Sequence, residues 1–231
     1  MQINKKAGLD FATIMKAFLR ADPDIIMVGE MRDKETTGTG IEASLTGHLV
    51  FATLHTNSAT ESIIRLLDMG MDPFNFADAL LGILAQRLAK RLCGKCKEAY
   101  TPAPEEVKML LQEYCQELLN TTTFKKDTKA AYENVYKYLM KSYGNDKGQF
   151  SLYRAKGCDA CGKTGYKGRL GLHELLIATD AMKKLIQEHA RVAEMVAVAL
   201  EEGMRTLKMD GIEKVLQGIT DMAQVRAVCI K

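Results

Sequence analysis

A chain of 231 residues with 47% hydrophobic and 26% charged side chains is long enough to bury a core and too apolar for disorder to be its main state. Its 32 basic residues nearly balance 29 acidic ones, Trp is absent and aromatics make up only 6%, a composition that argues against a dedicated nucleic-acid binder or a base-stacking platform. The most apolar stretch, 77–88, is interrupted by Asp78, Gln86 and Arg87 and is too short to span a bilayer, and the polar residues 1–10 do not read as a signal peptide.

Length predicts one to two domains. Phe11, Ala12, Ile14, Met15, Phe18 and Leu19 recur at helical spacing, with Asp10 as a candidate cap and Asp22 before Pro23 as the stop. Ile25 to Val28 is an unbroken apolar run, the pattern of a strand buried on both faces of a parallel sheet. Residues 34–46 read as a helix despite Gly38 and Gly40, and Leu49 to Leu54 as a second buried strand. Ser58 with Glu61 forms a capping box that opens a helix through Asp68, with Gly70 as its stop, and Asp72-Pro73 starts another helix. Alternating strands and helices imply an α/β architecture.

The middle of the chain differs. Four of the six cysteines form two Cys-x-x-Cys pairs, Cys93/Cys96 and Cys158/Cys161, separated by residues 97–157. Within that insertion Val107, Leu110, Leu111, Tyr114 and Leu118 form one amphipathic pattern, and Tyr132, Val135, Tyr136 and Leu139 a second that closes at Gly144; together they predict a peripheral helical hairpin over 103–150. Residues 170–177 return to a strand-like run, and from Asp180 onward the chain reads helical, punctuated by Gly203, Gly211 and Gly218.

Two Cys-x-x-Cys pairs can set four thiolates at the corners of a tetrahedron, the arrangement of a closed structural zinc site; buried or redox thiols are the other reading. A four-thiolate site leaves no open position for catalysis. Glu30 ends the first predicted strand, where ligands gather in open α/β sheets, and an acid there can hold a magnesium ion through water or polarise an attacking water. A solvent-facing acid at a strand end fits the same pattern. His48 begins the second strand and His55 follows it, so the two belong at opposite strand ends. The segment from His55 to Ser58 suits either phosphate sensing or helix capping.

The segment Ala21-Asp22-Pro23-Asp24-Ile25-Ile26-Met27-Val28-Gly29-Glu30-Met31-Arg32-Asp33 resembles the Walker B segment of secretion ATPases, and Thr46 to Asn57 resembles their histidine box. Gln86-Arg87-Leu88, the two Cys pairs, Gly165 to Arg169, Glu174-Leu175-Leu176, Glu202 to Leu207 and Asp210-Gly211 fit the same family. The chain is thus similar, except over roughly 103–150, to the type II secretion and type IV pilus assembly ATPases (the GspE/PilB family); pilus retraction ATPases lack the four cysteines. The resemblance implies part of a RecA-like P-loop NTPase core, residues 1–92, followed by a tetracysteine metal-binding subdomain, 93–165, and a strand return with a C-terminal helical region, 166–231. It implies Glu30 as the catalytic Walker B acid, Arg32, His48 and His55 as nucleotide-site residues, and Cys93, Cys96, Cys158 and Cys161 as zinc ligands. ATP and magnesium would be the parent protein's cofactors, a homo-hexamer its assembly, inner-membrane platform proteins its partners, and the cytoplasmic side of the inner membrane its location, with no role for nucleic acid.

One departure bears on activity. The chain contains no Gly-x-x-x-x-Gly-Lys-Ser/Thr, so the phosphate-cradling loop is expected upstream of residue 1 in a longer parent, and the chain alone is expected not to hydrolyse ATP. A non-catalytic, zinc-dependent interaction module is the alternative reading.

Overall fold

A computed structural model describes residues 11–21 and 23–229; the proposed cap Asp10 and stop Asp22 lie outside them. The chain forms two compact units, each discontinuous in sequence: 1–83 with 177–195, and 84–176 with 196–231.

In the first unit, α1 (Phe11–Leu19), β1 (Ile25–Val28), α2 (Lys34–Leu45), β2 (Leu49–Ala52), α3 (Ala59–Asp68) and α4 (Pro73–Ala79) follow in order, and α8 (Asp180–Gln187) returns to pack on α4. Helix α2 starts where Asp33 accepts a 2.8 Å bond from the Thr36 amide. Its threonines tolerate a helix because Thr37 and Thr39 donate their hydroxyls to carbonyls one turn back. Ser58 caps α3 and Asp72 caps α4, as the sequence predicts. Strands β1 and β2 pair in parallel, Ile25 opposite Leu49 and Val28 opposite Ala52, so their carboxyl ends share one edge.

Met15, Ile26, Val28 and Ala43 form the buried cluster beneath this sheet, with Leu19, Met31 and Val50 against it. The other face corrects the expectation of strands buried on both sides: Ile25, Met27 and Phe51 are 60%, 72% and 52% exposed. Helices α1 and α2 cover one face of a sheet that has only two strands among the described residues, and nothing among those residues covers the other.

The second unit is built on a ribbon of β3 (Gly82–Leu92) and β6 (Tyr166–Ile177). Backbone bonds pair Leu81 with Ala178 at one end and Cys93 with Gly165 at the other, so the strands run antiparallel. A short pair follows, β4 (Glu98–Tyr100) with β5 (Leu152–Arg154). Helices α5 (Pro104–Cys115), α6 (Thr122–Lys126) and α7 (Thr128–Tyr143) make up the insertion, and α9 (Val192–Glu201), α10 (Leu207–Leu216) and α11 (Met222–Val228) the C-terminal region.

Both predicted insertion helices form, with short α6 added between them, but they are not peripheral to their unit. Tyr114, Cys115 and Leu139 are buried, and α5 and α7 pack on α10. The Tyr114 and Tyr143 hydroxyls donate to the two oxygens of Glu213 at 2.7 and 2.8 Å, and Arg226 of α11 pairs with Glu113 of α5 at 2.5 Å. Gly211 does not break the C-terminal helices; it lies inside α10, where a Cβ would come within 2.7 Å of Val225 and 3.2 Å of Leu172. Among the described residues no helix is long and apolar enough to cross a membrane.

Candidate functional site

The carboxyl edge of β1 and β2 gathers three of the predicted residues. Pairing continues past the strands, with the Met31 amide donating to Thr53 O at 3.1 Å and the Thr53 hydroxyl to Gly29 O, which holds the two loops side by side. Glu30 follows β1 and is mostly buried, while Arg32 and His55 beside it are largely exposed. One Glu30 oxygen pairs with the Arg32 guanidinium and the other lies 3.0 Å from His55 Nε2. The Arg32 hydrogen bond holds the Glu30 carboxyl below the usual carboxylate range; desolvation opposes it, and the Arg32 and His55 charges add to it. The carboxylate in turn raises Arg32.

His48 is not part of this group. It precedes β2 at the opposite edge, where its Nδ1 lies 3.0 Å from Ala43 O and 3.3 Å from the Thr46 hydroxyl. A four-residue strand at about 3.3 Å per residue separates it from the Glu30 edge. The loop after His55 makes helix-capping bonds. Thr56 and Ser62 share a 2.6 Å hydroxyl bond, the Asn57 amide donates to Glu61 at 2.7 Å, and the Glu61 amide donates to the Ser58 hydroxyl.

The second constellation belongs to the other unit. The Sγ atoms of Cys93, Cys96, Cys158 and Cys161 all lie within 4.8 Å of one another. Cys93–Cys158, Cys96–Cys161 and Cys158–Cys161 are separated by 4.0, 3.9 and 3.8 Å. A tetrahedral zinc with bonds of about 2.3 Å needs sulfurs about 3.8 Å apart, so the donor set fits that ion. The β3–β6 ribbon brings the pairs together, since the Cys93 amide donates to Gly165 O beyond the second pair. Gly157 enters that pair at φ +98°, with its Cα so close to Lys163 O that a Cβ would collide with it. The amides of Cys158 and Gly165 each donate to Cys161 Sγ at 3.2 Å, and the Cys158 bond is the main cause that pulls this thiol down to about 6. Desolvation pushes Cys96 up to about 12. A bound cation reverses such desolvation by stabilising every thiolate. No disulfide involves these residues.

Several segments named in the sequence meet within the second unit for structural reasons. Buried Glu174 accepts the Leu207 amide at the start of α10, Asp210 accepts the His173 amide at 2.7 Å, and Lys214 donates to Gly171 O at 2.8 Å. Gln86 and His173 pair across the ribbon at 3.0 Å. Sequence reasoning placed Tyr114 on a helix but missed its contact, and that of Tyr143, with Glu213; no local pattern signals a contact between residues so far apart in the chain.

Parallel strands with helices on one face, an acid at their carboxyl edge and a separate four-thiol cluster define an α/β protein. Residues 1–227 match the sequence profile of the family described as Type II/IV secretion system protein, and the chain belongs to that family. It is 42% identical over 233 residues to the type IV pilus assembly ATPase PilB of Thermus thermophilus, covering all of this chain and 22% of that protein. It is 40% identical over 231 residues to the type II secretion system ATPase E of Vibrio cholerae, covering 98% of this chain and 39% of that protein. The chain therefore spans well under half the length of these curated relatives. Among solved structures, the pilus retraction motor PilT with bound ADP superposes with a TM-score of 0.58 at 24% identity, over 96% of this chain and 44% of that one. The Legionella pneumophila ATPase DotB gives 0.57 at 18%, over 95% and 42%; these two likenesses show a shared fold.

Proposed function

We propose that this chain is part of an ATP-hydrolysing motor that powers type II protein secretion, coupling turnover in a homo-hexamer to pseudopilus assembly, with type IV pilus assembly as the alternative output. The observation that carries the reading is Glu30, a carboxylate kept ionised between Arg32 and His55 at the carboxyl edge of parallel strands, in a chain of this family. Phosphoryl transfer depends on positioning and charge neutralisation, and this group supplies an acid to hold magnesium-bound or attacking water, with a guanidinium and an imidazole as partners for a terminal phosphate. His48, at the opposite strand edge, would meet nucleotide only through a rearrangement or a neighbouring subunit. The uncovered apolar face of β1–β2 supports a further layer packed on it, since parallel sheets are covered on both faces. The four cysteines would hold one structural zinc that fixes the base of the insertion. Attachment to the inner membrane from the cytoplasmic side would run through platform proteins.

In the full-length parent, Glu30→Gln should cut ATP hydrolysis by about 100-fold or more while nucleotide binding is largely kept. Turnover at the wild-type rate would remove Glu30 from the mechanism. The 231-residue chain alone should show no hydrolysis. Pull-downs against the cytoplasmic domains of secretion and pilus platform proteins would separate the two outputs.

A further inference from the structure

The second unit carries a cavity of about 310 Å³ that the motor reading does not use. Its walls come from the insertion helices α5, α6 and α7 on one side and from the end of α9, Arg205 and α10 on the other. Phe124, Ala131, Leu200 and Met209 form a buried apolar floor, while Asn134, Tyr138, Glu201 and Arg205 form the polar part of the lining. Ala131, Asn134, Val135 and Tyr138 lie on one face of α7, so a single helix presents both floor and rim. The volume lies at the lower end of small-molecule sites, which combine apolar walls with a few polar anchors.

Arg205 is the anchor. Its guanidinium stacks over Tyr138 at 5.6 Å, and its Nη1 donates to the carbonyls of Gly203 and Met204 at 3.3 Å. Its buried Nε is ion-paired with Glu213 at 3.4 Å and makes no hydrogen bond. The guanidinium is thus fixed in place with its five N–H donors incompletely used and its side chain 38% exposed. A stacked, immobilised arginine at the mouth of an apolar hole matches a planar oxyanion attached to an apolar body. Glu201, which accepts from the Thr122 amide and hydroxyl, leaves a negative charge at the rim that disfavours a dianion more than a monoanion.

We propose that this cavity binds a small organic monocarboxylate, its apolar body on the Phe124–Met209 floor and its carboxylate on Arg205. The insertion would then serve as half of a ligand site, coupling occupancy to the packing of α7 on α10. The proposal is independent of ATP hydrolysis.

The test is a calorimetric or saturation-transfer titration of the zinc-loaded 231-residue chain with 4-phenylbutyrate, the matching alcohol 4-phenylbutanol, and phenyl phosphate. The carboxylate should bind saturably and at least about tenfold more tightly than the alcohol. Arg205→Gln should erase that preference. Val135→Trp, which fills the hole and leaves the arginine in place, should abolish binding of both; thermal melts confirm that each variant is folded. Equal binding of carboxylate and alcohol, binding that survives Val135→Trp, no saturable binding of 4-phenylbutyrate, or tighter binding of phenyl phosphate would each overturn the assignment.

Discussion

In the first unit, Ile25, Met27, Leu49 and Phe51 line one face of a parallel sheet and remain in solvent, and the buried cluster beneath is Met15, Ile26, Val28 and Ala43. In the second, Tyr114, Leu139, Leu172, Met209, Ile212 and Val215 are fully buried by helices and a ribbon from the same unit. The second unit satisfies its own apolar residues and adds a four-thiol cluster; the first presents half a core and an ion-paired acid at its strand edge. The first unit thus leaves an apolar face in solvent and gathers Glu30, Arg32 and His55 at its strand edge, while the second closes around its own core.

Removing metal tests the closed unit hardest. Stripping zinc, or Cys158→Ser, should lower the melting transition of the second unit by roughly 10 °C, read by calorimetry, while the first unit's transition holds. A freshly purified chain with no zinc by elemental analysis would break the comparison at its root. Next, Leu139→Ala in α7 should cost about 2–5 kcal/mol, because a fully buried side chain leaves a cavity; a cost below about 1 kcal/mol would mean that the insertion is peripheral after all. Smaller again, Tyr143→Phe should cost about 1.5–3 kcal/mol by leaving one Glu213 oxygen without its donor. Desolvation, together with the bond to Glu213, raises the Tyr143 hydroxyl from 10.0 to about 12. Its stabilisation is therefore complete below pH 10 and fades as pH rises toward 12, so wild type and variant should converge over that window in urea titrations followed by circular dichroism. The smallest effect belongs to the ion pair at the strand edge. Glu30→Gln should leave the melting temperature nearly unchanged at neutral pH, since its partners are solvated. What remains of the ion pair should vanish as pH falls through the carboxyl's lowered value. A large loss of stability would make Glu30 a structural residue.

Local chemistry made much of this legible. Asp72-Pro73 and Ser58 announce helix starts because their side chains satisfy nearby amides, and the Cys-x-x-Cys spacing announces the four-thiol cluster. The placement of Glu30 with His55 follows from two apolar runs that pair in parallel. Strand β3 was not legible: Leu84, Ala85, Gln86, Arg87, Leu88, Ala89, Lys90 and Arg91 are helix formers by propensity, and pairing with β6 overrides them. Exposure of Ile25 and Met27 was equally hidden, because an apolar run reports what a residue needs covered, not whether the cover lies within the same unit. The Glu213 cluster was invisible for want of any local spacing that links Tyr114 and Tyr143 to α10.

The clamp has a consequence for how the chain is made. Cys93 and Cys96 leave the ribosome well before Cys158 and Cys161, which at about 5–20 residues per second means a delay of several seconds in which half a ligand set waits as bare thiols. Strand β3 waits with it, since its partner β6 follows the second pair. A clamp closed by zinc would make biogenesis of this unit depend on a reducing milieu and on zinc at the moment the late cysteines emerge, and overexpression under metal starvation should then favour mispaired, aggregating nascent chains.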